Sequence, residues 1–230
     1  MNFSPPPKTI EELQQRIDLI AGLTLGDLAQ ELNVVVPENL QVEKGWPGQL
    51  LEAYLGASAG NLPEPDFQLL GVELKTLPIS REGKPLETTF VSVAQLTQSI
   101  TQSKPVTWRE SSIYKKLRHV LWVPIIAERD IPVPLRQIAT PFLWQMDEQQ
   151  ETTLQTDWEE LMELITFGHH DKINATHGEA LQLRPKAADS SVRTQAFNQN
   201  GQPIQAPPKG FYLRTSFTKQ ILNKQFQLNL

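Results

Sequence analysis

The chain has 230 residues, of which 39 % are hydrophobic and 20 % are charged, and it contains no cysteine. No apolar run approaches the roughly 18 residues that a membrane-spanning helix needs, and the N-terminus lacks the basic and apolar regions of a secretory signal. The lack of cysteine excludes disulfides, thiol nucleophiles and cysteine-ligated zinc, and we expect a cytoplasmic globular protein.

Three helices are predicted in the first quarter of the chain. Thr9 and Glu12 have the spacing of a capping box, and an apolar stripe with helical periodicity follows them. A second helix is predicted from Thr24 and ends before Pro37, and a third covers residues 49–55. The glycine-rich segment after the third helix is predicted to be a loop.

The rest of the chain alternates between strand and helix signals. Strands are predicted over residues 70–77, 88–94, 120–126, 141–144, 180–184 and 210–214, and helices over residues 157–167 and 216–226. Helices first, followed by a mixed sheet with interspersed helices, predict an α/β or α+β fold around one central sheet.

Two carboxylates and one amine are predicted to converge near the first strand. Glu73 and Lys75 are two positions apart in an extended segment, so their side chains point to the same face, and a turn can bring Asp66 beside Glu73. Carboxylates bind Mg²⁺, and a cation together with a lysine can activate water for phosphodiester hydrolysis. The alternative interpretation is an ordinary half-exposed strand, on which Glu-x-Lys is common.

Two further residues can join this cluster. Glu52 lies on the third predicted helix, which leads into the loop before Asp66, so the site could hold a third acid. Lys116 precedes the strand predicted over residues 120–126 and could approach from a neighbouring strand. For Glu52 the alternative is a solvated helix face.

The charge is unevenly distributed along the chain. The formal net charge is −5, yet residues 181–230 contain seven lysines and arginines against one acidic residue, Asp189. A second basic stretch, from Lys104 to His119, is opposed only by Glu110. Basic patches on an acidic chain are typical of a protein that binds a polyanion such as DNA.

The basic C-terminal part also contains a pattern that suits base reading. Arg184–Lys186 ends one predicted strand, and Lys209 to Tyr212 begins the next. Arginine and lysine read guanine in the major groove, and an aromatic edge can pack against a base. In the alternative interpretation Phe211 belongs to the core and the lysines are merely solvated.

Taken together, these motifs resemble the MutH family, the strand-nicking endonucleases of methyl-directed DNA mismatch repair. The matching segments span nearly the whole chain and are specific in combination, although Glu-x-Lys alone would not be. They are residues 44–46, 51–52, 55–60, Asp66, 71–76, 86–90, 184–188 and 210–213.

The resemblance implies a restriction-endonuclease-like fold, a single endonuclease domain over residues 1–230 with two lobes around a DNA cleft. The implied activity is Mg²⁺-dependent nicking of the unmethylated strand, 5′ to the G of a hemimethylated GATC sequence. The implied activator of this monomeric enzyme is MutL, with MutS bound at the mismatch.

The resemblance also implies roles for the acidic and basic residues of the cluster. Asp66 and Glu73 match the metal ligands, and Lys75 matches the catalytic lysine. Glu52 and Lys116 match supporting acidic and basic groups of the same active site.

Further positions match residues of the family that contact DNA. Lys44 and Gly45 match a loop that approaches the minor groove. Tyr212 matches the residue near the adenine that distinguishes methylated from unmethylated strands. The loop that reads the major groove is matched by Arg184, Pro185 and Lys186.

Two other functions stay open at this point. One is a DNA-binding module that kept the fold but does not cut. The other is a restriction enzyme of the same fold that cuts both strands of GATC, for which a symmetric dimer is expected. The segment Thr97 to Thr107 is longer than the family pattern, which leaves the position of Lys104 open.

Overall fold

The computed structural model describes residues 4–38, 40, 43, 45–60, 64–97, 106–174, 176–186, 191–228 and 230. The chain divides into two compact units. The first contains Met1–Glu87, Lys116–Gln145 and Leu222–Leu230, and the second contains Thr88–Lys115 and Met146–Ile221. None of the helices in the described ranges has the length and apolar character that crossing a bilayer requires.

Six helices and eight strands are described. In chain order they are α1 (Ile10–Ile20), α2 (Leu25–Glu31), α3 (Trp46–Leu55), β1 (Glu73–Ile79), β2 (Thr89–Ala94), α4 (Ser112–Leu117), β3 (His119–Ile126), β4 (Phe142–Gln145), α5 (Glu148–Thr166), β5 (Leu181–Pro185), β6 (Thr194–Phe197), β7 (Pro203–Ala206), β8 (Lys209–Leu213) and α6 (Thr215–Phe226). Single 3-10 turns occur at Trp108–Glu110 and Val133–Leu135.

The first unit is built on a three-stranded mixed sheet with the order β1-β3-β4. β1 and β3 are parallel, with Glu73 opposite Val120, whereas β3 and β4 are antiparallel. Leu74, Leu121 and Val123 of this sheet share one core with the buried faces of α1, α2 and α3. The predicted α/β class, with a mixed sheet flanked by helices, is confirmed.

The helices of the first unit differ from prediction at their ends. α2 ends at Glu31, before Pro37 as predicted and well short of it, because Asn33 adopts a left-handed backbone with a φ of 53°. α3 begins at Trp46 rather than at residue 49, since Pro47 lies in its first turn, where a missing N–H breaks no helical bond.

α3 ends where the backbone turns left-handed at Gly56, whose φ is 84°. A Cβ atom added there would lie 2.5 Å from the carbonyl oxygen of Pro5. Arg16 joins the N-terminal segment to the end of α3, because its Nη1 donates to the carbonyl oxygens of Pro5 at 2.7 Å and Leu55 at 2.8 Å. Glycine is therefore required both for the turn and for the close approach of the N-terminal segment.

The second unit contains an antiparallel sheet with the order β2-β8-β5 and a separate β6-β7 hairpin. Six of the eight described strands thus divide between two three-stranded sheets rather than forming one central sheet. β6 and β7 lie between the strands predicted over residues 180–184 and 210–214, where the sequence predicts no strand. α5 begins at Glu148, nine residues before the predicted start, after a complete capping box formed by Asp147 and Gln150.

Candidate active site

The carboxylate of Asp66 is held at the entrance to β1. Its Oδ2 accepts a hydrogen bond from the backbone N–H of Leu74 at 2.8 Å, across the tight turn of residues 67–72. The main chain is held as well, because the Asp66 carbonyl accepts from Ser58 N at 2.9 Å and from Ala59 N at 3.2 Å. The glycine-rich loop after α3 therefore positions Asp66, a role that its sequence did not reveal.

Glu73 is the buried centre of the cluster, with 2 % of its surface exposed. Its Oε1 accepts from Lys75 Nζ at 2.6 Å and from Lys116 Nζ at 2.9 Å. Its Oε2 is also buried and has no hydrogen-bond partner among the described residues. One carboxylate oxygen is thus fully used while the other is left for a ligand.

Lys116 reaches Glu73 because of the way β1 and β3 pair. It lies in the last turn of α4, and β3 begins shortly afterwards, parallel to β1. The register places Val120 opposite Glu73, so the end of α4 lies near the start of β1. The structure therefore brings Lys116 to Glu73 from the segment just before the neighbouring strand, in line with the prediction.

Negative charge accumulates in this partly buried site. Burial, followed by the charges of Asp66 and Glu73, raises the pKa of the Glu52 carboxyl. Burial and the charge of Glu73 likewise raise the pKa of Asp66, against the opposing effect of its hydrogen bond from Leu74. The two lysines offset the repulsion in part, so the site favours the binding of an additional cation.

The donor set fits a hard divalent cation such as Mg²⁺. Asp66 and Glu73 offer carboxylate oxygens, one of which is the unpartnered Glu73 Oε2. In the described part of the chain, no three His, Asp or Glu side chains lie close enough to form a metal site alone. Mg²⁺ typically takes one or two carboxylates and completes its shell with water and phosphate oxygens, so two ligands suffice.

A second cluster lies in the second unit, on one face of the β2-β8-β5 sheet. Arg184 and Pro185 end β5, Lys186 follows directly, and Tyr212 lies in β8. The Tyr212 ring packs edge-on against Phe90, with centroids 5.3 Å apart. The cationic group of Arg184 lies 5.8 Å from the Tyr212 centroid, and Lys186 Nζ lies 3.5 Å from that of Phe90.

Two smaller residues shape this surface. Thr88 accepts a hydrogen bond from Arg184 Nη1 at 2.7 Å through its Oγ1. At Gly210 an added Cβ would lie 2.9 Å from the Phe90 ring and 3.2 Å from Lys186, so glycine permits the close packing. Sequence reasoning assigned no role to Phe90, although strand alternation places it on the same face as Tyr212.

β5 is fixed in place by a buried residue of α5. Asp157, which is 5 % exposed, accepts hydrogen bonds from the backbone N–H groups of Glu179, Ala180 and Leu181 at 2.8, 2.6 and 2.8 Å. From the sequence, Asp157 marks only the predicted start of a helix. The available signal was an acidic residue within the apolar stripe of α5.

Some of the predicted DNA contacts are placed differently or not described. Gly45 is exposed and precedes α3 as its N-cap, whereas Lys44 and Lys104 lie outside the described residues. Phe211 is buried and belongs to the core, and Lys209 donates to the carbonyl of His170. The alternative interpretation is therefore right for Phe211, and Lys209 is half-buried rather than a freely solvated cation.

The basic stretch before β3 is less available than its sequence indicated. Arg109 pairs with Glu151 at 3.0 Å, and Lys116 pairs with Glu73. The expectation that Glu110 alone opposes these cations is wrong, because folding brings acidic residues from distant segments. Lys115 and Arg118 stay exposed.

The chain is similar to a family of known proteins. The family model described as DNA mismatch repair enzyme MutH matches residues 55–157, a span that includes Asp66, Glu73, Lys75 and Lys116. The curated DNA mismatch repair protein MutH of Vibrio campbellii is 53 % identical over 224 residues, 97 % of each chain. Those of Shewanella oneidensis and Serratia proteamaculans are 51 % and 50 % identical, covering 96 % of this chain and 97 % and 96 % of theirs.

Proposed function

Because the chain belongs to the MutH family of DNA mismatch repair enzymes, we propose that it is a DNA endonuclease. It nicks the unmethylated strand 5′ to the G of a hemimethylated GATC sequence. The observation that carries this proposal is the partly buried cluster of Asp66, Glu73 and Lys75, which has the side chains that phosphodiester hydrolysis needs.

Asp66 and Glu73 are the residues that would hold Mg²⁺ in this enzyme. Bound there, the cation supplies positive charge for the phosphoryl oxygen and lowers the pKa of a bound water. The unpartnered Glu73 Oε2 and the mutual repulsion of the carboxylates support this assignment.

The lysines act on the water and on the phosphate charge. Lys75 is largely buried and is held by Glu73, so its Nζ stays close to both carboxylates. From there it orients the attacking water and helps to activate it. Lys116 shares Glu73 Oε1 and holds that carboxylate in one orientation, while Glu52 adds negative charge at the edge of the site.

The second cluster would choose the sequence to be cut. The Arg184, Pro185 and Lys186 loop reads the major groove, where a guanidinium matches the two acceptors of guanine. Tyr212 lies at the adenine that carries or lacks the methyl group. Gly45, together with the preceding Lys44, approaches the minor groove, because a residue without a side chain allows the backbone close to the bases.

Partners follow from charge and from the repair pathway. With a net charge of −5, the chain makes few phosphate contacts and binds DNA weakly alone at physiological salt. MutL, recruited by MutS at a mismatch, supplies the missing affinity. The enzyme acts as a monomer, since only one strand is cut at each site. It acts in the cytoplasm.

The test is nicking of a supercoiled plasmid with one hemimethylated GATC site in the presence of Mg²⁺. Wild-type protein should yield open circles, whereas D66N and E73Q should yield none. D18N, which alters an exposed carboxylate of α1, is the matched control and should nick normally. Linear product would favour the double-strand cutter, and specific binding without cleavage would favour the non-catalytic module.

A further inference from the structure

A side-chain amide with no hydrogen-bond partner among the described residues lies beside the residues of the second cluster. Gln182 in β5 is 8 % exposed, and its side chain makes no hydrogen bond to any residue that the structure describes. Its amide atoms are not among the fully buried side-chain atoms that lack a partner in the described part of the chain, so the amide is open to the surface. The amide therefore has a donor and an acceptor to offer to a ligand.

The strand register places Gln182 in the same row as the aromatic pair. It lies opposite Tyr212 in the β5-β8 ladder, and Phe90 lies opposite Tyr212 on the other side. Opposed residues share a face, so the three side chains cross the sheet on the face that also carries Arg184. Leu183, between Gln182 and Arg184, points to the opposite face and is buried.

Gln182 also lines a pocket at the edge of β5. The pocket has a volume of about 490 Å³, and its lining includes Arg184, Arg214 and Thr215 at the start of α6. No acidic residue is among the described residues that line it. An electropositive pocket beside a free amide suits the edge of a nucleic acid base.

We propose that Gln182 determines specificity by binding the major-groove edge of an adenine in the recognised sequence, an inference that rests on the proposed function. Glutamine has one acceptor and one donor side by side, which match the N6 amino group and N7 of adenine. Arg184 has donors only and matches guanine instead. Gln182 therefore suits adenine, and Arg184 suits guanine.

The same contact is sensitive to methylation. In a paired adenine one N6 hydrogen binds thymine and the other faces the major groove. A methyl group on N6 of the paired base takes the second position, so Gln182 Oε1 loses its donor and meets an apolar group instead. Gln182 therefore contributes to the preference for unmethylated adenine.

The experiment uses duplexes in which one adenine of GATC is replaced by 7-deazaadenine, tested on each strand in turn. This base keeps its pairing with thymine but lacks the N7 acceptor. For one of the two adenines, wild-type protein should lose about 3- to 10-fold in kcat/KM, because one of the two hydrogen bonds of a bidentate base contact is removed. An unchanged rate at both adenines overturns the proposal whatever the variants do.

The variant Q182M keeps the length of the side chain and removes its hydrogen-bonding groups. It should lose a similar factor on normal DNA and show no further loss on 7-deazaadenine. Q205M, at an exposed position of β7, is the matched control and should behave as wild type. If Gln182 had only a structural role, Q182M would be less active on normal DNA and would still lose activity when 7-deazaadenine replaces adenine. That result also overturns the proposal.

Equilibrium binding to the same duplexes separates this inference from the proposed function. If wild-type protein cuts nothing but still binds GATC more weakly when the adenine is replaced, and Q182M shows no such weakening, the endonuclease fails and the role of Gln182 stands. If cleavage is normal and insensitive to the replacement, the endonuclease stands and the role of Gln182 fails.

Discussion

The Nζ atom of Lys116 lies 2.9 Å from Oε1 of Glu73, a residue 43 positions earlier in the chain. This contact depends on the parallel pairing of β1 and β3, which brings the end of α4 beside the start of β1. Lys75 donates to the same oxygen, so the carboxylate is fixed by one oxygen and keeps the other free.

Replacement of Lys116 should destabilise the folded protein as well as lower its nuclease activity. K116M leaves Glu73, whose carboxylate is buried, with one ammonium partner instead of two. We expect the free energy of unfolding to fall by about 1–3 kcal/mol, because a charge-assisted hydrogen bond to a buried group is lost. Urea unfolding measures the change. K115M, at the exposed neighbouring position, should leave stability unchanged, and an equal loss in both variants would contradict this account.

Divalent cations should stabilise the folded protein through the two carboxylates. A ligand present at 100 times its Kd adds about 2.7 kcal/mol to the free energy of unfolding, so the Tm of wild-type protein should rise with Mg²⁺ concentration. D66N and E73Q should show no such rise, although each retains its fold. Thermal unfolding across a Mg²⁺ series, with Na⁺ at matched ionic strength, provides the measurement. A full Tm rise in both variants would place the cation elsewhere.

Asp157 should be more important for stability than its place on a helix indicates. D157N removes the charge that three backbone N–H groups share and places an amide donor among them. The expected loss is about 3 kcal/mol, since hydrogen bonds to charged groups are the stronger ones. Denaturant unfolding checks it, with E160Q on the exposed side of α5 as control. Hydrogen exchange of the backbone amides of Ala180 and Leu181 should also become faster. Unchanged protection there would be inconsistent with the hydrogen bonds that Asp157 accepts from them.

Two glycines with left-handed backbones allow steric crowding to be separated from backbone strain. At Gly60, whose φ is 57°, an added Cβ meets nothing within 4 Å, whereas at Gly56 it meets the Pro5 carbonyl at 2.5 Å. G60A should therefore cost about 1 kcal/mol, from backbone strain alone. G56A should cost clearly more, because the N-terminal segment must move away from the end of α3. Equal costs in thermal unfolding would show that this segment does not pack tightly at Gly56.

The sequence predicted most completely what is local. Glu73 and Lys75 share a strand face by alternation, and the turn that brings Asp66 close is short, so their proximity followed from spacing. Lys116 was less certain, because its approach needs the β1-β3 pairing. The bonds from the glycine-rich loop to Asp66 had no local signal at all.

The second cluster was predicted only in part for the same reason. Arg184 and Tyr212 stood out by residue type, and their strands were placed within about one residue. The row formed by Gln182, Tyr212 and Phe90 depends on three strands from distant parts of the chain. Asp157 serves β5 from another element, so neither helical periodicity nor charge reveals its partners.

The assignment of the two clusters to separate compact units has a consequence for how such a protein can change. Asp66, Glu73, Lys75 and Lys116 all belong to one unit, and Gln182, Arg184 and Tyr212 to the other. Substitutions on the β5-β8 face can therefore be made without disturbing the packing around Glu73. Under the proposed function, selection in nature or in the laboratory can vary the recognised sequence while the hydrolytic chemistry is inherited intact.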